Sequence, residues 1–346
     1  MTTWPELLQQ LVDGQDLSTD DTAWVMNEVL GGEAPDVNVA AFMAALAAKG
    51  ETTAELEGLV SGMLSHAVRI DVPGRAVDVV GTGGDNAHTV NISTMASVVV
   101  AAAGLTVVKH GNKAATSRSG SADVMTALGV KLDLAPDRVV ELASDVGITF
   151  CHAPVFHPAM RFVGPIRRQL GIPTIFNVLG PLTNPAQPAA SAIGVANARW
   201  APLMAGVVAR QGREALLFRS EDGLDELAAT SVATVWEVRN GDVQELSLDP
   251  VADLGMSRIT IGDLRGGEAE HNAQVARETF AGAPGPVRDT VILNAAAGLV
   301  ADGTTAGTGA GSLTERMRAA MDVCAAAIDT GRAQSVLADW AEASQR

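Results

Sequence analysis

One short unit restricts the fold more than anything else in the chain. It is the apolar run Ala76–Val80, the glycine loop Gly81-Thr82-Gly83-Gly84-Asp85, and a helix start at Asn91-Ile92-Ser93-Thr94. A buried strand that passes through glycines into a helix needs a neighbouring strand, and a second apolar run arrives at Leu105–Val108. Strand–helix–strand units call for a parallel sheet covered by helices. The alternation is predicted to continue with a helix over Ala122–Leu128, a helix opening near Pro136 and the strand Ile148–Phe150. Apolar strands follow at Ala192–Val195, Ala215–Phe218 and Thr290–Leu293, and Asp302–Gly311, rich in Gly and Thr, is predicted as a mobile loop.

The segment before this unit has a different texture. Pro5 opens a helix that Gly14 follows, Thr19 or Asp20 caps a second that stops at Gly31 and Gly32, and Val37–Lys49 stops at Gly50. Thr52 and Glu55 then form a capping-box pattern for a fourth helix. Residues 153–186 are rich in proline and basic groups, and read as a helical excursion returning to the N-terminal helices. The expected architecture is α/β: a small all-helical domain plus a large α/β domain with a mainly parallel central sheet flanked by helices. The small domain spans 1–72, joined by helices from about 157–186; the large one spans 73–156 and 187–346. No internal repeat is visible.

Composition narrows the function classes. Hydrophobic residues make up 47% of the chain but aromatic ones only 3%, with no tyrosine, so the core must be built from Ala, Val, Leu, Ile and Met. A formal net charge of −16 repels a phosphate backbone and argues against nucleic acid as a partner. The two cysteines, Cys151 and Cys324, lie outside any zinc or disulfide spacing, which suits a reducing cytoplasm. The N-terminus has acids where a signal peptide has bases, and the run Met95–Val108, broken by Gly104, falls short of the ~20 residues of a membrane helix. No membrane association is expected.

Four clusters carry chemistry. The glycine loop and the helix start behind it form a phosphate cradle: glycines allow close approach of backbone, the helix N-terminus offers N–H groups, and Ser93 and Thr94 add hydroxyls. The pattern is neither G-x-G-x-x-G, because Asn86 sits at the last glycine position, nor a Walker A loop. The second cluster, Lys109-His110-Gly111-Asn112-Lys113 and Thr116 to Asp123, should lie beside the first at the strand ends, with Lys109 able to neutralise a phosphate. The third, Asp222-Gly223-Leu224-Asp225-Glu226, reads alone as an acidic helix start, but beside a pyrophosphate site Asp225 and Glu226 suit Mg²⁺. The fourth holds His152, His157, Arg161, Arg167 and Arg168, where one arginine can grip a carboxylate in two-point fashion. The five-residue spacing of His152 and His157 does not make a metal pair.

Taken in order, the strings GTGGD, NIST, KHGN, SGSAD, HPAM, FNVLGPLTNPA and DGLDEL resemble the anthranilate phosphoribosyltransferase family over nearly the whole chain, as do AFMAALAAKGET, VILNAAAGL and AIDTG. The resemblance implies transfer of the 5-phosphoribosyl group from phosphoribosyl pyrophosphate to the amine of anthranilate, the second step of tryptophan synthesis from chorismate. It implies that Gly81, Gly84, Asp85, Thr89, Asn91, Ser93, Thr94, Lys109, Asn112, Ser117 and Ser121 hold phosphoribosyl pyrophosphate. Ser93, Asp225 and Glu226 would serve Mg²⁺; Gly81, His110, Asn112 and Arg167 would contact anthranilate, with His157 and Met160 lining its approach. Lys109, His110, Asn112 and Arg167 are the residues expected to serve catalysis. A homodimer joined through the helical domains, hinged between small and large domains, is also implied. Thr116 stands where serine is common and Pro173 where a base is frequent; neither touches the chemistry. Two other readings of the fold are a pyrimidine-nucleoside phosphorylase and a non-catalytic nucleic-acid-binding relative.

Overall fold

The structure is a computed structural model that describes residues 2–113 and 118–346. It opens with four helices: α1 (Trp4–Val12), α2 (Thr19–Gly31), α3 (Asp36–Lys49) and α4 (Thr53–Ser65). Each has local reasons to start where it does. Pro5 occupies the first turn of α1, where its missing N–H costs nothing. The cap of α2 is Ser18, not the expected Thr19 or Asp20, because Ser18 and Asp21 exchange bonds in a capping box. Thr52 and Glu55 form the expected box on α4. Glu55, fully buried, also accepts from the Leu17 N–H at 2.9 Å and pairs with Lys49 at 3.0 Å, tying α4 to the loop between α1 and α2 and to α3.

The sheet follows. Strand β1 (Ala76–Gly81) leads through the glycine loop to α5 (Ile92–Ala102), then come β2 (Thr106–Gly111), α6 (Ser121–Ala127), α7 (Pro136–Val146) and β3 (Ile148–His152). The excursion carries α8 (Ala153–Phe156), α9 (Gly164–Leu170) and α10 (Leu179–Leu182). The chain returns as β4 (Ala190–Gly194), α11 (Ala201–Arg210), β5 (Glu214–Ser220), β6 (Ala233–Arg239) and β7 (Asp242–Leu248). It closes with α12 (Ala269–Phe280), α13 (Pro286–Asp302), α14 (Leu313–Asp329) and α15 (Arg332–Ala343). Among the described residues the seven strands form one sheet in the order β3-β2-β1-β4-β5-β6-β7. Strands β1 to β5 run parallel, and β6 and β7 add antiparallel at one edge. The carboxyl ends of the five parallel strands, Gly81, Gly111, His152, Gly194 and Ser220, therefore share one edge of the sheet.

Alternation of side chains along β4 and β5 separates the two larger apolar cores; a third, smaller one holds Val108, Val139, Cys151 and Phe156. Ala190, Ala192, Leu216 and Phe218 face α5, α13, α14 and α15; Ile193, Ala215 and Leu217 face α11 and the helical layer. That second core also takes Val163, Ile166, Ile175, Phe176, Leu179 and Leu182 from the excursion, which packs against α1–α4. Thr53 of α4 lies against the bare backbone of Gly206 in α11, where a Cβ would meet its methyl at 2.8 Å, and Arg210 pairs with Glu57 at 2.8 Å across the same contact.

Two expectations are corrected. Thr290–Leu293 is not a strand but part of α13, whose residues from Thr290 to Asp302 are all buried; a helix covered on every side shows no polar stripe and reads as an unbroken apolar run. The edge hairpin β6–β7 was not expected, although Asn240 and Gly241, with φ of 53° and 82°, supply the two left-handed residues of a two-residue hairpin turn. The stretch Asp302–Gly311 is a loop as expected, but it is pinned: Arg75 pairs with Asp302 at 2.5 Å, Asp302 accepts from Thr304, and Thr308 is fully buried.

Candidate active site

The glycine loop leaves β1 with Gly83 and Gly84 both left-handed, at φ of 69° and 86°, and with open space where a Cβ would stand. Only glycine enters this conformation without strain, and the open side leaves the backbone accessible to a ligand. Behind it, α5 begins at Ile92, with Ser93 and Thr94 in its first turn. The Thr94 hydroxyl is buried without a hydrogen-bond partner, and the same holds for Oδ2 of Asp85, whose Oδ1 accepts from the Ala87 N–H at 3.1 Å.

The acidic turn after β5 comes down onto this loop. Asp225 Oδ2 accepts from the Gly83 N–H at 2.6 Å, and a Cβ on Gly81 would strike the same oxygen at 2.3 Å. On the next strand a Cβ on Gly194 would fall 1.6 Å from the backbone oxygen of Asp225, so the turn lies directly on bare backbone. Asp225 and Glu226 are 7% and 8% exposed. Burial, with the charge of Asp85 beside it, pushes the Asp225 carboxyl up to about 7. Burial, Asp225 and Asp85 push Glu226 well above the usual range, against the opposing pull of Lys109 and the Ser93 N–H. No Lys, Arg or His forms an ion pair with any of the three among the described residues.

This donor set fits Mg²⁺. Hard carboxylate oxygens are gathered without a cation, yet no group of three or more His, Cys, Asp or Glu among the described residues is arranged to cage a metal unaided. Mg²⁺ asks for that combination, because one or two carboxylates, waters and substrate phosphates complete its shell.

Lys109 is 1% exposed, and its Nζ donates to the Val79 carbonyl at 2.5 Å, on the strand that leads into the glycine loop. Burial lowers its pKa, against the opposing charges of the buried carboxylates Asp78 and Glu226. Asp78, missed in the sequence because it is the one acid inside the apolar run Ala76–Val80, is fully buried and held by Asn184 at 2.9 Å. Asn184 also donates to the Val108 carbonyl at 2.7 Å, so the string TNPA fastens the strands that carry the cradle.

His110 and His157 form a second corner. Their rings lie 5.0 Å apart, and both residues are 4% exposed. His110 Nδ1 is 2.9 Å from the Gly180 carbonyl and His157 Nε2 is 2.9 Å from the Thr183 carbonyl, which makes those nitrogens the protonated ones. His110 Nε2 is left as a buried acceptor with no partner. Burial, with His157 beside it, lowers His110 to about 3; burial lowers His157 to about 4. The partner of His157 is thus His110, while His152 pairs with Asp133 at 3.0 Å.

The remaining expected residues are distributed as follows. Arg167 is half-buried, and its Nη2 donates to Asn177 at 3.1 Å with no carboxylate partner among the described residues. Arg161 and Arg168 are exposed. Met160 packs at the rim of the helical core. Asn112 is exposed, and its carbonyl accepts from Ser121 Oγ at 3.3 Å. Thr89 bridges to Arg265. The side chain of Asn91 is engaged at both ends, to the Ser119 carbonyl at 3.1 Å and to Asn272 at 2.8 Å. Ser117 and Thr116 lie outside the described residues.

Residues 5–67 match the family model described as "Glycosyl transferase family, helical bundle domain", and residues 73–334 match "Glycosyl transferase family, a/b domain". The anthranilate phosphoribosyltransferase of Thermobifida fusca (strain YX) is 54% identical over 99% of this chain and 97% of its own length. The chain belongs to the anthranilate phosphoribosyltransferase family. The family enzyme of Arthrobacter sp. (strain FB24) is likewise 54% identical over 98% of this chain and 95% of its own. The crystal structure of the anthranilate phosphoribosyltransferase from Thermus thermophilus superposes with a TM-score of 0.89 at 38% identity, covering 98% of this chain and 99% of that one. The Saccharomyces cerevisiae family enzyme, solved in complex with PRPP and Mg, has a TM-score of 0.87 at 26% identity, covering 99% and 98%. These relatives favour neither nucleoside phosphorolysis nor a non-catalytic nucleic-acid role.

Proposed function

We propose that this site transfers the 5-phosphoribosyl group of phosphoribosyl pyrophosphate to the anthranilate amine with Mg²⁺, giving N-(5-phosphoribosyl)anthranilate and pyrophosphate in tryptophan biosynthesis. The observation that carries the reading is the descent of Asp225 and Glu226 onto the glycine loop and the first turn of α5. Asp225, Glu226 and Ser93 would hold Mg²⁺, which would supply positive charge against the departing pyrophosphate.

The chain's own residues do the rest. Gly81 and the open backbone of Gly84, with Asp85, Thr89, Asn91, Ser93, Thr94, Ser117 and Ser121, position the sugar diphosphate, and the N-terminus of α5 favours its negative charge. Arg167 holds the anthranilate carboxylate, and Asn112 with the His110–His157 corner sets the ring so that the amine faces the anomeric carbon; holding the two reactants in line removes much of the entropic barrier. The C–N bond forms as the C–O bond to pyrophosphate breaks, and the arylammonium then loses a proton. An arylammonium is a strong acid, so His110 Nε2, at a pKa of about 3, need only accept a hydrogen bond from the amine. Lys109, drawn toward Glu226, and Asn112 complete the set that holds the diphosphate, and Lys109 stabilises the departing anion.

The same reading takes residues 1–72 with 157–186 as the small domain and 73–156 with 187–346 as the large one, a homodimer joined through the helical domains, and a cytoplasmic setting. Val37, 73% exposed, and Ile172, 48% exposed, leave apolar surface on the helical layer for a second copy, and two buried free cysteines suit a reducing compartment. The fluorescence of anthranilate should fall when enzyme, phosphoribosyl pyrophosphate and Mg²⁺ are mixed. Unchanged fluorescence, with thymine released from thymidine and phosphate, would overturn the reading.

A further inference from the structure

The glycine loop is conformationally expensive. Besides Gly83 and Gly84, two residues with side chains are left-handed in it, Asn86 at φ 58° and His88 at φ 54°. Such residues hold their conformation only where the surroundings over-determine it. The surroundings here are the segment from Leu264 to Asn272. Its backbone runs alongside the loop: the Val90 N–H donates to the Leu264 carbonyl at 2.9 Å, Thr89 bridges Arg265, and the Gly266 N–H donates to the His88 carbonyl at 2.8 Å. At its end Asn272, on α12 and 3% exposed, turns its amide into the loop.

The direction of every bond in that amide relay is fixed by backbone groups at its two ends. The Gly267 N–H can only donate, and it does so to Asn272 Oδ1 at 2.8 Å. Asn272 Nδ2 is therefore the donor to Asn91 Oδ1 at 2.8 Å, which leaves Asn91 Nδ2 to donate to the Ser119 carbonyl at 3.1 Å. One side chain outside the cradle thus joins the start of α5 to the loop Arg118–Gly120 that leads into α6.

We infer that Asn272 is a positioning residue for phosphoribosyl pyrophosphate: through Asn91 it holds the glycine loop and the Ser119 loop at the spacing that the sugar diphosphate requires. It touches no substrate itself. The inference rests on the proposed function, in which these two loops face that substrate. A carboxylate at position 272 still accepts from the Gly267 N–H but cannot donate, so Asn91 must turn its own NH₂ toward it and release Ser119. Asn272→Asp therefore breaks the relay with the side-chain volume nearly unchanged.

The test measures the Kd of phosphoribosyl pyrophosphate with Mg²⁺ by calorimetry, and both KM values from anthranilate turnover, for wild type, Asn272→Asp, Asn272→Ala, Asn91→Ala and the Asn91→Ala/Asn272→Ala double variant. Kd and KM for phosphoribosyl pyrophosphate should rise about tenfold in both Asn272 variants, with KM for anthranilate within twofold of wild type. The double variant should be no worse than Asn91→Ala alone, because both act through one bond. A role in folding alone would lower Tm and the active fraction and leave the KM values together. Unchanged Kd in Asn272→Asp, an equal rise in both KM values, or multiplying effects in the double variant would overturn the inference. Wild type that binds the diphosphate but never consumes anthranilate would instead overturn the proposed function.

Discussion

His110 and His157 at the end of β2 and the start of the excursion, and Asp225 and Glu226 in the turn after β5, are all less than a tenth exposed, yet burial leaves the two pairs in opposite conditions. Each histidine gives its one N–H to a backbone carbonyl and is neutral far below pH 7, so that corner calls for no counter-ion. Among the described residues the carboxylates form no ion pair, and burial, with the charge of Asp85 beside them, drives both upward against a partial pull from Lys109 on Glu226, the condition of a corner suited to take up a cation. One corner is built for a neutral ring. The other is under electrostatic tension that the proposed metal and pyrophosphate would relieve.

The sharpest way to break this contrast is to remove the charge. Asp225→Asn with Glu226→Gln should lower kcat/KM by roughly a thousandfold, the scale of losing a transition-state electrostatic contact, and turnover assays across a Mg²⁺ titration would show it. Near-wild-type activity at low Mg²⁺ would mean the acidic corner is not the metal site. Next in size, Arg167→Ala should raise KM for anthranilate by roughly ten- to a hundredfold, the scale of one charged hydrogen bond, with KM for phosphoribosyl pyrophosphate unchanged. Equal changes in the two KM values would remove Arg167 from the carboxylate.

The histidine corner can be tested by acid. His110 is depressed from 6.5 to about 3, so the unfolded chain takes up its proton first; the stability it confers is full above 6.5 and is lost as pH falls toward about 3. Between pH 6.5 and 5.5 wild type should lose ~1 kcal/mol more than His110→Asn in urea unfolding. An equal loss would show that the ring is not held neutral. The carboxylates carry the opposite sign. Asp225 is raised from 3.8 to about 7, so its contribution is full below 3.8 and is lost as pH rises through 7. Bound cation reverses that loss, and Mg²⁺ with pyrophosphate should raise Tm by a few degrees more at pH 8 than at pH 5.5. A larger rise at pH 5.5 would remove the carboxylates from the metal.

How much of this was legible depended on whether the signal was local. Gly83 and Gly84 after a buried strand, and Ser93 and Thr94 at a helix start, announce an anion cradle because conformation and donors are written in adjacent residues. The hairpin turn Asn240-Gly241 was equally local, but β7 has mostly exposed side chains and lacks the apolar run that marks the parallel strands. Thr290–Leu293 failed for the converse reason, since a helix buried on all sides has no period to read. The pairing of His110 with His157, the bond from Lys109 to Val79 and the hold of Asn272 on Asn91 join residues far apart in the chain. No spacing rule reaches them. Asp78 could have been suspected, because a lone acid in a buried strand must find partners, and it found Asn184.

The bare backbone of Gly194 beneath Asp225 sets a limit on how such a site can drift. The height of the acidic turn over the sheet is fixed by main chain against main chain, with no side chain between them to be exchanged for a longer or shorter one. Divergence can alter what surrounds the acidic turn or what sits opposite it, but the distance from strand to turn behaves as a constant of the architecture.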